Sequence, residues 1–422
     1  MGDQPFVPVD KFRVVYIIIL IHGIGSLLPW NMFITANDYF VAKLTPNNGT
    51  SNETTTTAGE ADEIRVYRDN FLSFVGVASK LPNTAFQLIN IVIPDGKVPH
   101  KYRILISIFM QAVMFAETTA FTVIDTSNSI KFFYQMTMGT VVVVNVFNGL
   151  FQSSFYGQAA LLPTAYMNAV VTGMNISGVV SSLFMILSIA VTPDLSITAL
   201  VYFTTAVVFL ILSLASYVYL LKNKFFNHFV YTVEKKGEET TVAPTNTRTR
   251  YLNILRQIWL HLFSVFFVYF VSLSLFPAVI AGIQSTSVLG GKYFAVVWCF
   301  LSFNLFAMLG NIAVDFYPNL IHEKRLWIFV LLRLVFVPFF LFCNFKPLTR
   351  TVPVVFLSDA FYIIGVAVFA LTSGYMSSLA IVMAPKSVAA EDASVAGMMA
   401  SLTLMLGIAT GISSSFLFAN MV

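Results

Sequence analysis

Apolar residues run through this chain in eleven long stretches, and most polar residues are gathered between them. The stretches lie near 14–36, 70–93, 104–125, 132–160, 165–191, 197–221, 257–281, 292–316, 326–343, 352–381 and 395–419. A helix that crosses a hydrocarbon core ~30 Å thick needs about 20 mostly apolar residues. The pattern therefore predicts an all-α integral membrane protein with eleven transmembrane helices. One long basic stretch divides them six and five, the usual outline of a carrier. Residues 1–221 are expected to form a six-helix bundle with an outer loop at 41–68, residues 222–256 a linker, and residues 257–422 a five-helix bundle. The first stretch is longer than a signal-peptide core and has no small-residue cleavage site after it, so it is expected to be retained. The linker mixes Lys, Glu, Thr and Pro, a composition that buries little apolar surface and reads as a disordered tether.

Composition agrees with a bilayer as solvent. Hydrophobic residues make up 57% of the chain and charged residues 10%, whereas soluble domains carry roughly 25% charged residues. Mean hydropathy is +0.79. Cys299 and Cys343 both fall inside expected spans, which predicts free buried thiols. Metal-ligand spacings such as C-x-x-C are absent from the sequence. His22, His228, His261 and His322 do not cluster with a nucleophile, and neither a G-x-S-x-G turn nor a phosphate-binding Gly-rich loop occurs. These absences argue against catalysis and against ATP-driven transport, and no cofactor is expected. The span count argues against a seven-helix receptor.

Loop charge sets the expected orientation, because Lys and Arg concentrate on the cytoplasmic side. Lys11 and Arg13 precede span one, and Lys97, His100, Lys101 and Arg103 join spans two and three. Lys222, Lys224, Lys235, Lys236, Arg248, Arg250 and Arg256 sit between spans six and seven, Lys324 and Arg325 between eight and nine, and Lys386 between ten and eleven. With alternating spans all of these share one side. The amino terminus is then cytoplasmic and the carboxyl terminus extracellular. The loop after span one contains two glycosylation sequons, at Asn48 and Asn52, on the opposite side.

Polar side chains inside spans are costly and mark candidate pathways. Pro29-Trp30-Asn31 predicts a bend near the outer end of span one, and Gly23 and Gly25 permit close helix contact there. In span four, Asn145, Asn148 and Gln152 recur at i, i+3 and i+7 and so share one face. They suit either interhelical hydrogen bonds or a polar solute. In span eight, Phe300, Asn304, Ala307 and Asn311 form a stripe. Lys80 in span two and Glu117 in span three lie at similar depths, which predicts a buried ion pair or exposure to a watery cavity. Arg333 and Asp359 are further charges in spans nine and ten.

Several segments together resemble the equilibrative nucleoside transporter family, nearest its animal plasma-membrane members. They are Gly25-Ser-Leu-Leu-Pro-Trp-Asn31, Phe151-Gln-Ser-Ser-Phe-Tyr-Gly157 with Leu161-Leu-Pro163, Phe276-Pro277, Cys299-Phe-Leu-Ser-Phe-Asn304, Arg333-Leu-Val-Phe-Val-Pro338 with Cys343-Asn-Phe-Lys-Pro347, Ser373-Gly-Tyr375, and Ala396-Gly397. The resemblance implies eleven helices in a 6+5 arrangement like the major facilitator fold. It implies a nucleoside or nucleobase as the small-molecule partner, a lipid bilayer as the medium, and no nucleic acid. By matching motif, Trp30 would contact the base and Gln152 would hydrogen-bond it, Asn31 and Ile34 would line the outer part, and Phe276, Phe300, Asn304 and Ile408 would border the pocket. Gly173 falls where the family needs a small residue.

The chain departs from that pattern at the ribose end. The family typically places an Asp and an Arg four residues apart in span eight, and here those positions are Ala307 and Asn311. Lys80 and Asn83 stand where span two is usually apolar, and Asn148 replaces a small residue. Asn311, Lys80 or Asn83 is expected to take over the missing role, or the substrate differs. The leading expectation is facilitative nucleoside transport by alternating access. A relative that carries another solute, such as a nucleobase or organic cation, with Glu117 or Asp359 titrating in proton coupling, is the second. A non-transporting scaffold or sensor is the third, and the polar interior argues against it.

Overall fold

A computed structural model describes residues 8–45, 58–93, 98–126, 129–191, 194–230, 247–287, 291–345, 350 and 353–419. The fold is all-helical apart from two isolated bridges, Ile283 with Phe345 and Cys343 with Phe356. The long helical units are α1 (Val14–Thr35), α2 (Phe71–Val92), α3 (His100–Val123), α4 (Ile130–Ala159), α5 (Thr164–Val191) and α6 (Leu195–Leu220). They continue with α7 (Thr247–Leu275), α8 (Ala295–Leu301 running into Ser302–Phe316), α9 (Leu326–Leu332, Arg333–Val335 and Phe336–Leu341), α10 (Asp359–Lys386) and α11 (Ala393–Ala419).

Among the described residues, nine helices are long and apolar enough to cross a membrane, rather than eleven. The two exceptions have physical causes. The 22-residue α2 carries Lys80, Asn83, Gln87 and Asn90 along its length, which dilutes its hydropathy. Unit α9 is long enough only as a sum, because a 3-10 turn at Arg333–Val335 separates two short α-helical pieces. Helix α7 begins at Thr247 and so takes in the last ten residues of the expected linker, and 224–230 is also helical. Helix α10 starts later than expected, where Ser358 Oγ accepts from the Ala360 amide at 3.3 Å. Cys299 and Cys343 are free and buried, as expected. Asn48 and Asn52 lie outside the described residues.

Neighbouring helices touch through small residues. A Cβ placed on Gly173 would run into the backbone of α1 at Leu20 and Gly23, so only glycine admits this approach. Helices α1–α6 and α7–α11 meet along a seam formed by α5 with α8 and by α2 and α4 with α11. The main apolar core spans both groups, with Phe151, Phe155 and Tyr156 on one side and Tyr375, Met405 and Ile408 on the other. A second core, around Phe303, Phe340 and Phe369, belongs to α7–α10.

Candidate functional site

The polar side chains that cannot face lipid collect on the seam. At their centre is Gln87, a residue of α2 with no solvent exposure. Its Nε2 donates to Asn83 Oδ1 (2.8 Å) and to Gln152 Oε1 (3.0 Å), and its Oε1 accepts from Ser401 Oγ of α11 (2.9 Å). Gln152 Nε2 donates in turn to the Ser26 carbonyl (2.7 Å), which also accepts from Asn148 Nδ2 (3.1 Å). Four helices are therefore joined by one amide chain. Each bond is worth only about 0.5–1.5 kcal/mol net, but leaving one of these groups unpaired inside costs about 1–3 kcal/mol.

The expected stripe on α4 is real, and its partners are protein groups in this conformation. Asn145 Nδ2 donates to the Val141 carbonyl of its own helix (2.8 Å). The sequence reading did not identify Gln87, Ser26 or Ser401. A signal for Gln87 existed, since Lys80, Asn83, Gln87 and Asn90 recur at three- and four-residue spacing on α2. Nothing in the local sequence marks Ser26 or Ser401, because serines on membrane helices commonly bond their own backbone.

Toward the α1–α2 end stands Trp30, half-buried, with the Lys80 ammonium 3.8 Å from its ring centroid. Asn31 Nδ2 donates to Ser177 Oγ of α5 at 3.0 Å, and Ile34 is half-buried nearby along α1. The anticipated Lys80–Glu117 ion pair is not made. Glu117 Oε2 accepts from Thr140 Oγ1 of α4 at 3.0 Å. Similar depth on two helices does not set the direction in which their side chains point. A cation–π contact is worth about 0.5–2 kcal/mol, less than the roughly 2.5–3.5 kcal/mol that insertion scales assign to a lysine at mid-membrane.

Helices α7 and α8 contribute rings. Phe276 stacks on Phe303 at 4.1 Å and meets Phe300 edge-on at 5.5 Å. Phe300 lies on the π-helical stretch Ala295–Leu301, a local widening that occurs often at functional sites. Asn304 Nδ2 donates to the Phe300 carbonyl at 2.9 Å, and its carboxamide fills the space over Gly178 of α5. Ile408 is 7% exposed and packs in the main core.

Asn311 is fully buried, donates from Nδ2 to the Val171 carbonyl (3.2 Å), and accepts at its backbone carbonyl from Asn168 Nδ2 (2.9 Å). Ala307 presses its backbone on Gly374 of α10. Asn311 Nδ2 is therefore engaged in helix contact, while its Oδ1 is left without a hydrogen-bond partner among the described residues. Arg333 is also structural: its guanidinium donates to the Phe369 carbonyl (2.9 Å), Ser272 Oγ (2.8 Å) and Thr372 Oγ1, and lies over the Phe369 ring at 4.5 Å. Asp359 accepts from the Ser285 hydroxyl (2.6 Å), the Thr286 amide (3.0 Å) and the Ser287 hydroxyl, fixing the 285–287 loop to the start of α10. Among the described residues no group of His, Cys, Asp and Glu could hold a metal ion.

At the α2–α3 end the two groups are in direct contact beside a cavity of about 300 Å³ lined by Leu162, Met167, Val382 and Pro385. His100 Nε2 lies 3.3 Å from Ser394 Oγ, Asn90 Nδ2 reaches Met398 Sδ at 3.9 Å, and Tyr251 donates to the Ile91 carbonyl at 2.9 Å. A Cβ on Gly397 would lie 2.7 Å from the Tyr156 carbonyl oxygen. Arg103 braces this end by donating to the Asn90 side chain (3.1 Å) and to the Ile93 carbonyl (3.1 Å).

Comparison with known proteins adds the lineage. Residues 138–420 match the family model described as Nucleoside transporter. The chain is 32% identical to human equilibrative nucleoside transporter 1 over 98% of its own length and 99% of that protein's. It is 30% identical to mouse equilibrative nucleoside transporter 2 over 97% and 98%. The fold is similar to that of the E. coli fucose:proton symporter FucP, at a TM-score of 0.57 and 10% identity over 96% of this chain and 98% of that one. It is also similar to that of the human organic anion transporter MFSD10, at a TM-score of 0.53 and 14% identity over 99% and 95%. These likenesses show a fold shared with major facilitator transporters, of which an outward-facing FucP structure is another example. A multi-pass membrane protein with a buried polar seam, matched along nearly its whole length, this chain belongs to the nucleoside transporter family.

Proposed function

We propose that this chain is a facilitative carrier of nucleosides, with nucleobases as related cargo, working by alternating access and without catalysis. The observation that carries this reading is the near full-length likeness to a protein named equilibrative nucleoside transporter 1. In this reading α2 and α9 cross the membrane with the nine more apolar helices. The eleven spans then divide into a bundle of α1–α6 and a bundle of α7–α11, joined by the basic connection on the cytoplasmic side. The amino terminus is cytoplasmic, the carboxyl terminus extracellular, the location the plasma membrane, and Asn48 and Asn52 are glycosylated outside.

The seam gives the carrier its two gates. In this reading the α2–α3 end is the closed, cytoplasmic one, so the conformation is outward-facing. Solute enters beside Trp30, Asn31 and Ile34 and meets the rings of Phe276 and Phe300, with Asn304 opposite. Deeper lie Asn83, Asn148 and Gln152. Rocking of one bundle against the other pulls Ser401 from Gln87, and that frees an amide bonded to Gln152. Opening of the inner gate and the hydrogen-bonding capacity of Gln152 are thereby linked.

The test is uptake by purified protein in proteoliposomes. Saturable uridine or adenosine flux that equilibrates, and does not respond to an imposed pH or voltage gradient, is expected. Absence of nucleoside flux beside robust flux of an organic cation overturns the reading.

A further inference from the structure

Among the described residues the Lys80 ammonium has no acidic counterpart. Across α1–α11 the acids are Glu117, Asp315 and Asp359. Glu117 is bonded to Thr140, Asp359 to the 285–287 loop, and Asp315 lies at the far end of α8 beside Asn168. Among the described residues no ion pair includes Lys80. The contact the structure gives it is the face of Trp30 at 3.8 Å. Arg333, a fully buried cation, is fixed instead by carbonyl and hydroxyl partners on α7 and α10. The seam therefore holds one positive charge whose partner is an aromatic face and not an anion.

That arrangement constrains the ligand. If Trp30 takes the ring of a solute, as the proposed function has it, the ring must displace the ammonium from the same face. A displaced ammonium remains tethered beside the ring it yields to, and with most of the solvent excluded a negative group replaces the lost indole better than a neutral acceptor does. Neutral Asn31, Asn83 and Asn148 nearby have other partners or supply only dipoles. We propose that Lys80 makes this a site for ring solutes that carry an anionic oxygen, with a nucleoside 5′-monophosphate as the simplest member. The solute's ring replaces the ammonium on Trp30, and its anion receives the ammonium. The inference rests on the reading of Trp30 as the ring contact and extends it to the charge of the cargo.

The experiment uses the full chain in proteoliposomes, with uridine 5′-monophosphate competing against labelled uridine. In the wild type the monophosphate is expected to compete, and to do so about tenfold more tightly than its uncharged dimethyl ester, a difference that needs no variant. In Lys80→Met the affinity ratio of monophosphate to uridine is expected to fall by about tenfold, and Lys80→Arg is expected to keep it. A monophosphate no better than its ester, or a ratio unchanged in Lys80→Met, overturns the proposal. Should the wild type show no saturable uridine flux, the nucleoside reading fails by itself. Direct binding of labelled monophosphate then decides the anion site: binding lost in Lys80→Met supports it, and absent or Lys80-independent binding overturns it.

Discussion

The two ends of the seam hold their helices together by different means. At the α2–α3 end, backbones approach until only glycine fits, as at Gly397 over Tyr156, and short polar contacts such as His100 with Ser394 fasten the two groups. Toward the α1–α2 end the named contacts are mostly rings and a cation within each group, Trp30 with Lys80 and Phe276 with Phe303 and Phe300, and Asn304 over Gly178 joins the groups. The first kind of contact is stiff and sensitive to distance, since close-packed backbone has no rotamer with which to adapt. The second kind is adjustable, because an ammonium on a flexible stem and offset rings tolerate displacement. A carrier that binds at one end while shut at the other needs this asymmetry.

Substitutions can break that contrast in graded steps. Gly397→Val should have the largest effect. The added side chain opposes closure by about 1–3 kcal/mol, so uptake should fall roughly tenfold while a cysteine placed at the α2–α3 end becomes more reactive from the cytoplasmic side. Gln87→Leu should come next: it strands Gln152 Oε1 and Ser401 Oγ at about 1–3 kcal/mol for an unpaired group, read as a lower melting temperature in detergent and slower uridine exchange. Phe276→Ala removes a stack worth about 0.5–1.5 kcal/mol beyond its buried area. It should weaken inhibition by ring solutes more than it lowers the maximal rate. Arg250→Ala should do least. Its partner Asp392 is 2.7 Å away, but the arginine is 44% exposed, and exposed pairs contribute about 0–1 kcal/mol. A large loss of uptake there would mean that the α2–α3 end is held by charge and not by fit.

How much of this was legible in the sequence varies by level. Helix positions followed from runs of apolar residues, since a bilayer leaves few alternatives to a helix. Two runs show the limit: in α2 the sequence reading marks Lys80 and Asn83 but not the continuation of the stripe to Gln87 and Asn90, and α9 reads as one helix although it turns at Arg333. The stripe on α4 was legible as a face, but what the face meets depends on α1, α2 and α11, which no local pattern reports. Asn311 shows the same limit, because the 3–4 spacing that aligned it with Phe300 and Asn304 could not tell the seam from the cavity. Of the two expectations for Lys80 and Glu117, an ion pair or exposure to a watery cavity, the pair is not formed, since depth is readable from position along a helix and azimuth between helices is not.

The break in α9 reaches beyond the protein. Counted from the 3-10 turn Glu323–Arg325 that leads into it, the unit rises about 30 Å to Leu341, close to the ~30 Å of a hydrocarbon core. Its last carbonyls do not wait for lipid, because Arg350 donates to the carbonyls of Leu341, Cys343 and Phe345 at 3.1, 2.7 and 3.1 Å. In the reading in which α9 crosses the membrane, a span assembled from short pieces has no length to spare, and uptake is expected to respond to acyl-chain length.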